Sequence, residues 1–148
     1  MIEETYKIVS TNNKKLFFFQ SIGTIGVISK AVVFQEFKGK INLAFGDLKD
    51  GNIDDKSISG NQDISKVLST VAKCVYEFLK AYPDSIIIIK PVDEKRRQFY
   101  NLIIKRRIDE IKQNFQIWGI FEGQIEDYNP GKQYDAFEIK QLSKTEKE

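Results

Sequence analysis

The residues able to do chemistry in this chain are few in kind, because its 148 positions include no histidine. Ser-His and Cys-His nucleophile pairs, imidazole acid–base pairs and His-ligated metals are thereby excluded. Carboxylates, Lys, Arg, Tyr or a bound metal must carry any reaction. One grouping is basic. Arg96, Tyr100, Ile103 and Arg107 recur at i, i+4, i+7 and i+11, which puts them on one face of a helix. Phe99, Ile104, Ile108 and Ile111 flank that face, so the arginines lie in or beside the apolar arc and need an anionic partner. A phosphate held by the guanidinium fork fits, with Tyr100 as hydroxyl donor or stacking surface. An internal carboxylate, such as Glu110 or an Asp of the long loop upstream, fits equally.

The second grouping is acidic. Asp47, Asp50, Asp54, Asp55 and Asp63 fall within residues 46–63, a stretch rich in Gly, Asp, Asn and Ser. Nucleases that lack histidine hold Mg²⁺ with clustered carboxylates, and the metal activates water and screens phosphate charge. Asp47, Asp54 and Asp55 are the metal candidates on this reading, and Mg²⁺ is the cation they would take; no other cofactor is evident. Against it, Lys49 interrupts the alternating oxygens of a calcium loop, and no D-x-D pair appears. The competing reading is a solvated loop ending in Asp63 as a helix N-cap.

Three lesser features read as structural. Gly23 and Gly26 in SIGTIG have no helix after them and no Lys-Ser/Thr pair, so they predict a hairpin turn, not a phosphate cradle. Cys74, the only cysteine, sits beside an apolar helix face, where a small inert packing residue is usual. Tyr128 and Tyr134, near Lys132, offer either a stacking surface or a pair of half-buried tyrosines.

The elements that must position these residues follow from periodicity. Short apolar runs predict strands at Tyr6–Val9, Leu16–Phe19, Val27–Phe37 and Ile41–Phe45, with Lys38-Gly39 as a hairpin turn. Residues 46–63 predict a long loop, unusual in size and hence functional or mobile. Ile64, Val67, Leu68, Val71, Val75, Phe78, Leu79 and Tyr82 recur at helical spacing, and Pro83 ends that helix. The apolar run Ile86–Ile89 predicts a central strand covered on both faces. A second helix over residues 93–112 follows, then strands at Phe115–Phe121 and Tyr134–Ile139 joined across Asn129-Pro130-Gly131. The expected fold is α+β: a mixed, largely antiparallel sheet in the order four strands, helix, strand, helix, two strands, packed against two helices.

Composition bounds the rest. The length suits one domain over residues 1–148, large enough to bury a core without disulfide or metal. No apolar run is long enough to span a bilayer and the N-terminus carries no secretory pattern, so the expected compartment is the cytoplasm. The net charge of +2 hides a polarity along the chain. Asp47 to Asp63 carries five Asp against two Lys, a net of −3, and Lys90 to Lys112 carries eight basic against four acidic residues, a net of +4.

The order of several short motifs resembles a known family. These are Asn42-Leu43-Ala44-Phe45-Gly46-Asp47, Ile53-Asp54-Asp55, Asp63 with Lys66-Val67-Leu68 and Thr70-Val71-Ala72, and Arg96 with Tyr100. The resemblance is to small bacterial proteins, mainly of Bacteroidota, grouped as a domain of unknown function. It covers almost the whole chain and brings no activity with it. Where the family carries a Gly-Ser-Thr stretch and a second Arg, this chain has Pro91-Val92-Asp93 and Gln98.

Two functions of different class follow as expectations. One is nucleic-acid binding, with RNA the expected partner, through Arg96, Tyr100 and Arg107; in its extended form the chain is a toxin or defence-associated ribonuclease of a toxin–antitoxin pair. The alternative is a non-catalytic protein–protein interaction module that meets a small partner protein. Whether the chain is an enzyme, and its oligomeric state, are not fixed by these residues.

Overall fold

The computed structural model describes residues 4–49, 52–54 and 63–142. Among them are nine strands and three helices in an α+β fold whose strand pairings are mostly antiparallel. The chain divides into two units: Met1–Gln35 with Leu43–Pro83, and Glu36–Asn42 with Asp84–Glu148. No helix among the described residues is long and apolar enough to cross a membrane.

In the first unit, alternation sets the packing. Strand β2 (Leu16–Gly23) buries Phe17, Phe19 and Ser21 and leaves Gln20 and Ile22 exposed, the period-two pattern of a strand with one covered face. It pairs antiparallel with β3 (Gly26–Phe37), from Leu16 opposite Val33 to Gly23 opposite Gly26. The turn between them is the hairpin that the two glycines predict, and Gly26 uses its freedom at φ 119°. Strand β1 (Val9–Ser10) is only two residues long and meets only Phe18 and Phe17. Helix α1 (Ile64–Ala81) covers the buried face: Phe78 stacks on Phe34 with ring centroids 4.3 Å apart, and Val67, Val75 and Leu79 are buried along the same stripe. Each such side chain contributes about 1.5–3 kcal/mol on full burial. The helix ends at Tyr82, ahead of Pro83, as predicted.

The stretch expected to be one long loop is partly strand. Strand β4 (Lys40–Lys49) continues four residues beyond Phe45, and β5 (Asn52–Asp54) pairs back on it with Asp47 opposite Asp54. Gly and Asp gave turn signals here, but inward alternation of Phe45 and Asp47 carries the strand on. Asp50 and Asp55 lie outside the described residues, as does the tail from position 143.

The second unit begins at the tip of the β3–β4 hairpin, where Lys38 and Gly39 take φ of 51° and 80°, the left-handed pair of a type I′ turn. The start of β4 runs parallel to β6 (Ile86–Ile89), with Ile41 opposite Ile87. On its other side β6 pairs with β9 (Ala136–Gln141), so it is central, as its uniform isoleucines imply. Strand β7 (Phe115–Phe121) pairs with β9 and with β8 (Gln124–Asp127). Strand β8 was not expected: the Glu122-Gly123 turn, with φ of 50° and 79°, makes a hairpin upstream of Asn129-Pro130-Gly131. The single second helix is also corrected. It is two, α2 (Glu94–Arg106) and α3 (Ile108–Asn114), meeting at Arg107 with φ −107° and ψ 13°. No Pro or Gly marks the break; the β-branched Ile103, Ile104 and Ile108 around it lower helix propensity.

Candidate functional site

Three arginines of the second unit, Arg96, Arg97 and Arg107, are met by carboxylates. Asp93 is the N-cap of α2 and accepts from the Arg96 backbone N–H at 2.8 Å, while its other oxygen takes the Arg96 guanidinium at 2.7 Å. Arg96 is only 6% exposed. One partner is thus Asp93, three residues upstream. Arg107, at the helix break, stands 3.8 Å from Glu110. Tyr100 is half-buried, its ring 6.4 Å from that of Phe99. Arg97 bridges Glu94 at 3.1 Å and Asp135 at 3.3 Å. The exposed cations of these helices are others: Lys95, Lys105, Arg106 and Lys112, beside Gln98, Leu102 and Asp109.

Asp47 also has a cation. Lys30, on β3, and Asp47, on β4, pair at 2.5 Å with side chains 8% and 4% exposed. The Phe45 ring lies 5.8 Å from the Lys30 ammonium and stacks at 6.4 Å on Phe19. A metal at Asp47 would have to compete with this ammonium. Asp54 stands opposite Asp47 in the ladder and Asp55 is outside the described residues. Among the described residues no three carboxylates or thiols gather as a metal would require. Lys30 was the residue that sequence reasoning missed. Its signal is parity, since it alternates with Ile28, Val32 and Phe34 at an inward position.

Asp63 occupies the N-cap position of α1, but its side chain makes no cap bond. One carboxylate oxygen instead accepts from the Tyr6 and Ser21 hydroxyls, each at 2.5 Å. The Tyr6 hydroxyl accepts in turn from the Ile22 backbone N–H at 3.0 Å. The Tyr6 backbone N–H donates to Thr70 Oγ1 at 2.8 Å, and the Lys66 ammonium lies 4.2 Å from the Tyr6 ring. Burial and the bond to Asp63 push the Tyr6 phenol above its ordinary pKa. The result ties the N-terminal segment to α1 and to β2.

What this scaffold leaves exposed is apolar. Val9, Ile22, Ile25 and Val27 are 64%, 61%, 64% and 62% exposed. The register puts Val9 opposite Phe18 and Ile22 opposite Val27, so Val9, Ile22 and Val27 share the sheet face away from Phe17 and Phe19, while Ile25 lies in the turn. An open cleft of about 500 Å³ adjoins them, its lining including Lys7, Val9, Gln20 and Ile22 and, from the next strands, Ser29 and Leu48.

Of the two readings of Tyr128 and Tyr134, the structure has the buried one. Tyr134 is fully buried, and Tyr128 packs against it with centroids 5.6 Å apart. The Tyr134 hydroxyl donates to Glu126 at 2.8 Å and accepts from the Asn129 N–H at 3.0 Å. Asn101 on α2 binds the Tyr134 backbone N–H and C=O at 2.8 and 2.9 Å, as a neighbouring strand would. Cys74 is buried and free, and burial pushes its thiol up to about 12, so it supplies no thiolate at neutral pH.

Neither a curated protein nor a solved structure matches the chain. Its residues 2–142 do match one family, and over that span the chain belongs to a family of unknown function, DUF6934.

Proposed function

We propose that the chain is a non-catalytic interaction module that docks a small partner protein through the exposed face of the β2–β3 hairpin. One observation carries this reading: Val9, Ile22 and Val27, each more than 60% exposed, share one sheet face, with the equally exposed Ile25 in the turn between Ile22 and Val27. Single exposed aliphatics are ordinary, whereas a contiguous group of them marks a contact surface. The patch carries no charge of its own, so the matching partner surface is aliphatic and uncharged at its centre. The test is to co-purify the partner from cells, reconstitute the pair from purified components and measure affinity by calorimetry. Ile22→Glu and Val27→Glu should each weaken binding about 30-fold, the size of a hot-spot loss of about 2 kcal/mol. Their denaturation midpoints should hold, because both side chains already face water. Unchanged affinity in both variants would overturn the reading.

A second reading has its own observation. Lys95, Lys105, Arg106 and Lys112 are exposed along α2 and α3, with Glu94 and Asp109 as exposed acidic residues among them, a net basic pattern suited to phosphates. It predicts affinity for single-stranded RNA that falls steeply with salt, as counterion release requires. Lys105→Gln with Arg106→Gln should flatten that salt dependence by about two charges.

A further inference from the structure

The cleft beside the β2–β3 hairpin opens on the sheet face opposite α1. Gln20 alternates with the inward Phe19 and Ser21 and stands directly opposite Ser29 in the ladder. Leu48, next to the inward Asp47, faces the same way from β4. Lys7 sits between Val9, which pairs with Phe18, and Tyr6, whose hydroxyl reaches the Ile22 backbone, so it comes alongside Gln20. Lys7, Gln20 and Ser29 thus make a polar row that runs from the N-terminal segment across β2 to β3, with Leu48 beyond it on β4. Apolar pairs flank the row, Val9 with Phe18 on one side and Ile22 with Val27 on the other.

The wall of the cleft is fixed in place. The Tyr6 backbone N–H donates to Thr70 Oγ1 at 2.8 Å and its hydroxyl to Asp63 at 2.5 Å. The polar row is uncommitted: among the described residues, the side chains of Lys7, Gln20 and Ser29 make no hydrogen bond or ion pair. The charge is of one sign. Asp47 and Asp63 lie on the helix side, held by Lys30 and by the Tyr6 and Ser21 hydroxyls, and among the described residues no carboxylate lines the cleft. We infer that the cleft binds a small amphipathic carboxylic acid, its head on the Lys7–Gln20–Ser29 row and its hydrocarbon body against the flanking apolar side chains. The ammonium supplies a charge-assisted bond to the head, and the amide and hydroxyl supply neutral donors. A volume of about 500 Å³ with apolar walls and a few convergent polar groups suits a ligand of this size. The site needs no protein partner. Val9 and Ile22 also belong to the docking face, so the acid and a docked partner exclude each other.

The probe is octanoate, titrated into the purified chain and followed by its amide signals in two-dimensional NMR. It should shift Gln20, Ile22, Ser29 and Leu48 saturably, and 1-octanol and octyltrimethylammonium should bind at least about fivefold more weakly. Lys7→Gln should cut octanoate affinity about fivefold, as loss of an exposed ion pair does, and leave 1-octanol unchanged. Lys7→Glu should invert the preference, favouring octyltrimethylammonium over octanoate. Lys7 is exposed, so both variants should keep the parent's denaturation midpoint. Should Lys7→Glu fail to fold, Lys7→Gln decides, together with salt: about 0.5 M NaCl should weaken octanoate and spare 1-octanol. Equal affinity for acid and alcohol, or octanoate binding indifferent to Lys7→Gln and to salt, overturns the assignment. So does the absence of saturable shifts at these four residues.

Discussion

A lysine and an aspartate facing each other in the core of the first unit decide more than any exposed charge. Desolvating both is costly, and their attraction offsets that cost only while both are present. Lys30→Ala should therefore lose about 3–5 kcal/mol, because it strands the Asp47 carboxylate in a buried setting. Lys30→Met combined with Asp47→Leu should lose far less and fall near the parent, as apolar replacements of buried pairs do. Urea denaturation of both single variants and the double checks this, and a double variant as unstable as Lys30→Ala would refute it. At this scale the sequence was partly legible. Lys30 has the parity of an inward residue, so its need for a carboxylate was readable, but which of five nearby Asp supplies it was not. Arg96 likewise announced a partner, and the choice of Asp93 depended on a helix cap that spacing alone does not reveal.

Elements show where local signals suffice and where tertiary contacts overrule them. The Lys38-Gly39 turn and helix α1 were legible because their cues are local: a Gly for a positive φ and a long apolar period. Strand β8 was missed because Glu122, unlike Asn or Asp, rarely takes the left-handed conformation that its turn demands. The site was less legible than the fold, since an exposed sheet face is defined by what fails to cover it. Strand β7 illustrates a constraint imposed from outside the element. Gly119 has an ordinary backbone, yet a Cβ there would stand 2.3 Å from the Tyr134 ring. The glycine is required by the tyrosine laid across it, itself fixed by Asn101 and Glu126. Gly119→Ala should cost about 1–3 kcal/mol by overpacking. Adding Tyr134→Ala should remove that specific clash, so the two changes should be non-additive in thermal denaturation. Full additivity would mean that the ring simply moves aside.

For the whole molecule the absence of histidine predicts how stability follows pH. No side chain with an ordinary pKa titrates between about pH 5.5 and 7.5, so stability should be flat there. On the acid side, hydrogen bonds from Lys132 and then Tyr134 hold the Glu126 carboxyl below its usual value. A depressed folded value gives stability that is present above the unfolded value of about 4.3 and lost as pH falls through the folded one. On the alkaline side every shift points the same way. Burial raises Tyr6, Tyr128 and Tyr134, the Glu126 bond raises Lys132, and burial lifts Cys74 to about 12. A raised folded value gives stability that is complete below the unfolded value and lost as pH climbs toward the folded one. The unfolded thiol ionises first, at about 8.5, and the phenols and amine follow at about 10. Stability should thus begin to decline near pH 8.5 through Cys74 alone and fall more steeply beyond about 10. Circular dichroism midpoints measured in urea from pH 4 to 11 would trace this profile. Cys74→Ala lowers the whole curve by opening a small cavity, but it should keep the plateau flat to about pH 10. A variant whose decline still starts near 8.5 would show that another buried group, not the thiol, sets the alkaline limit.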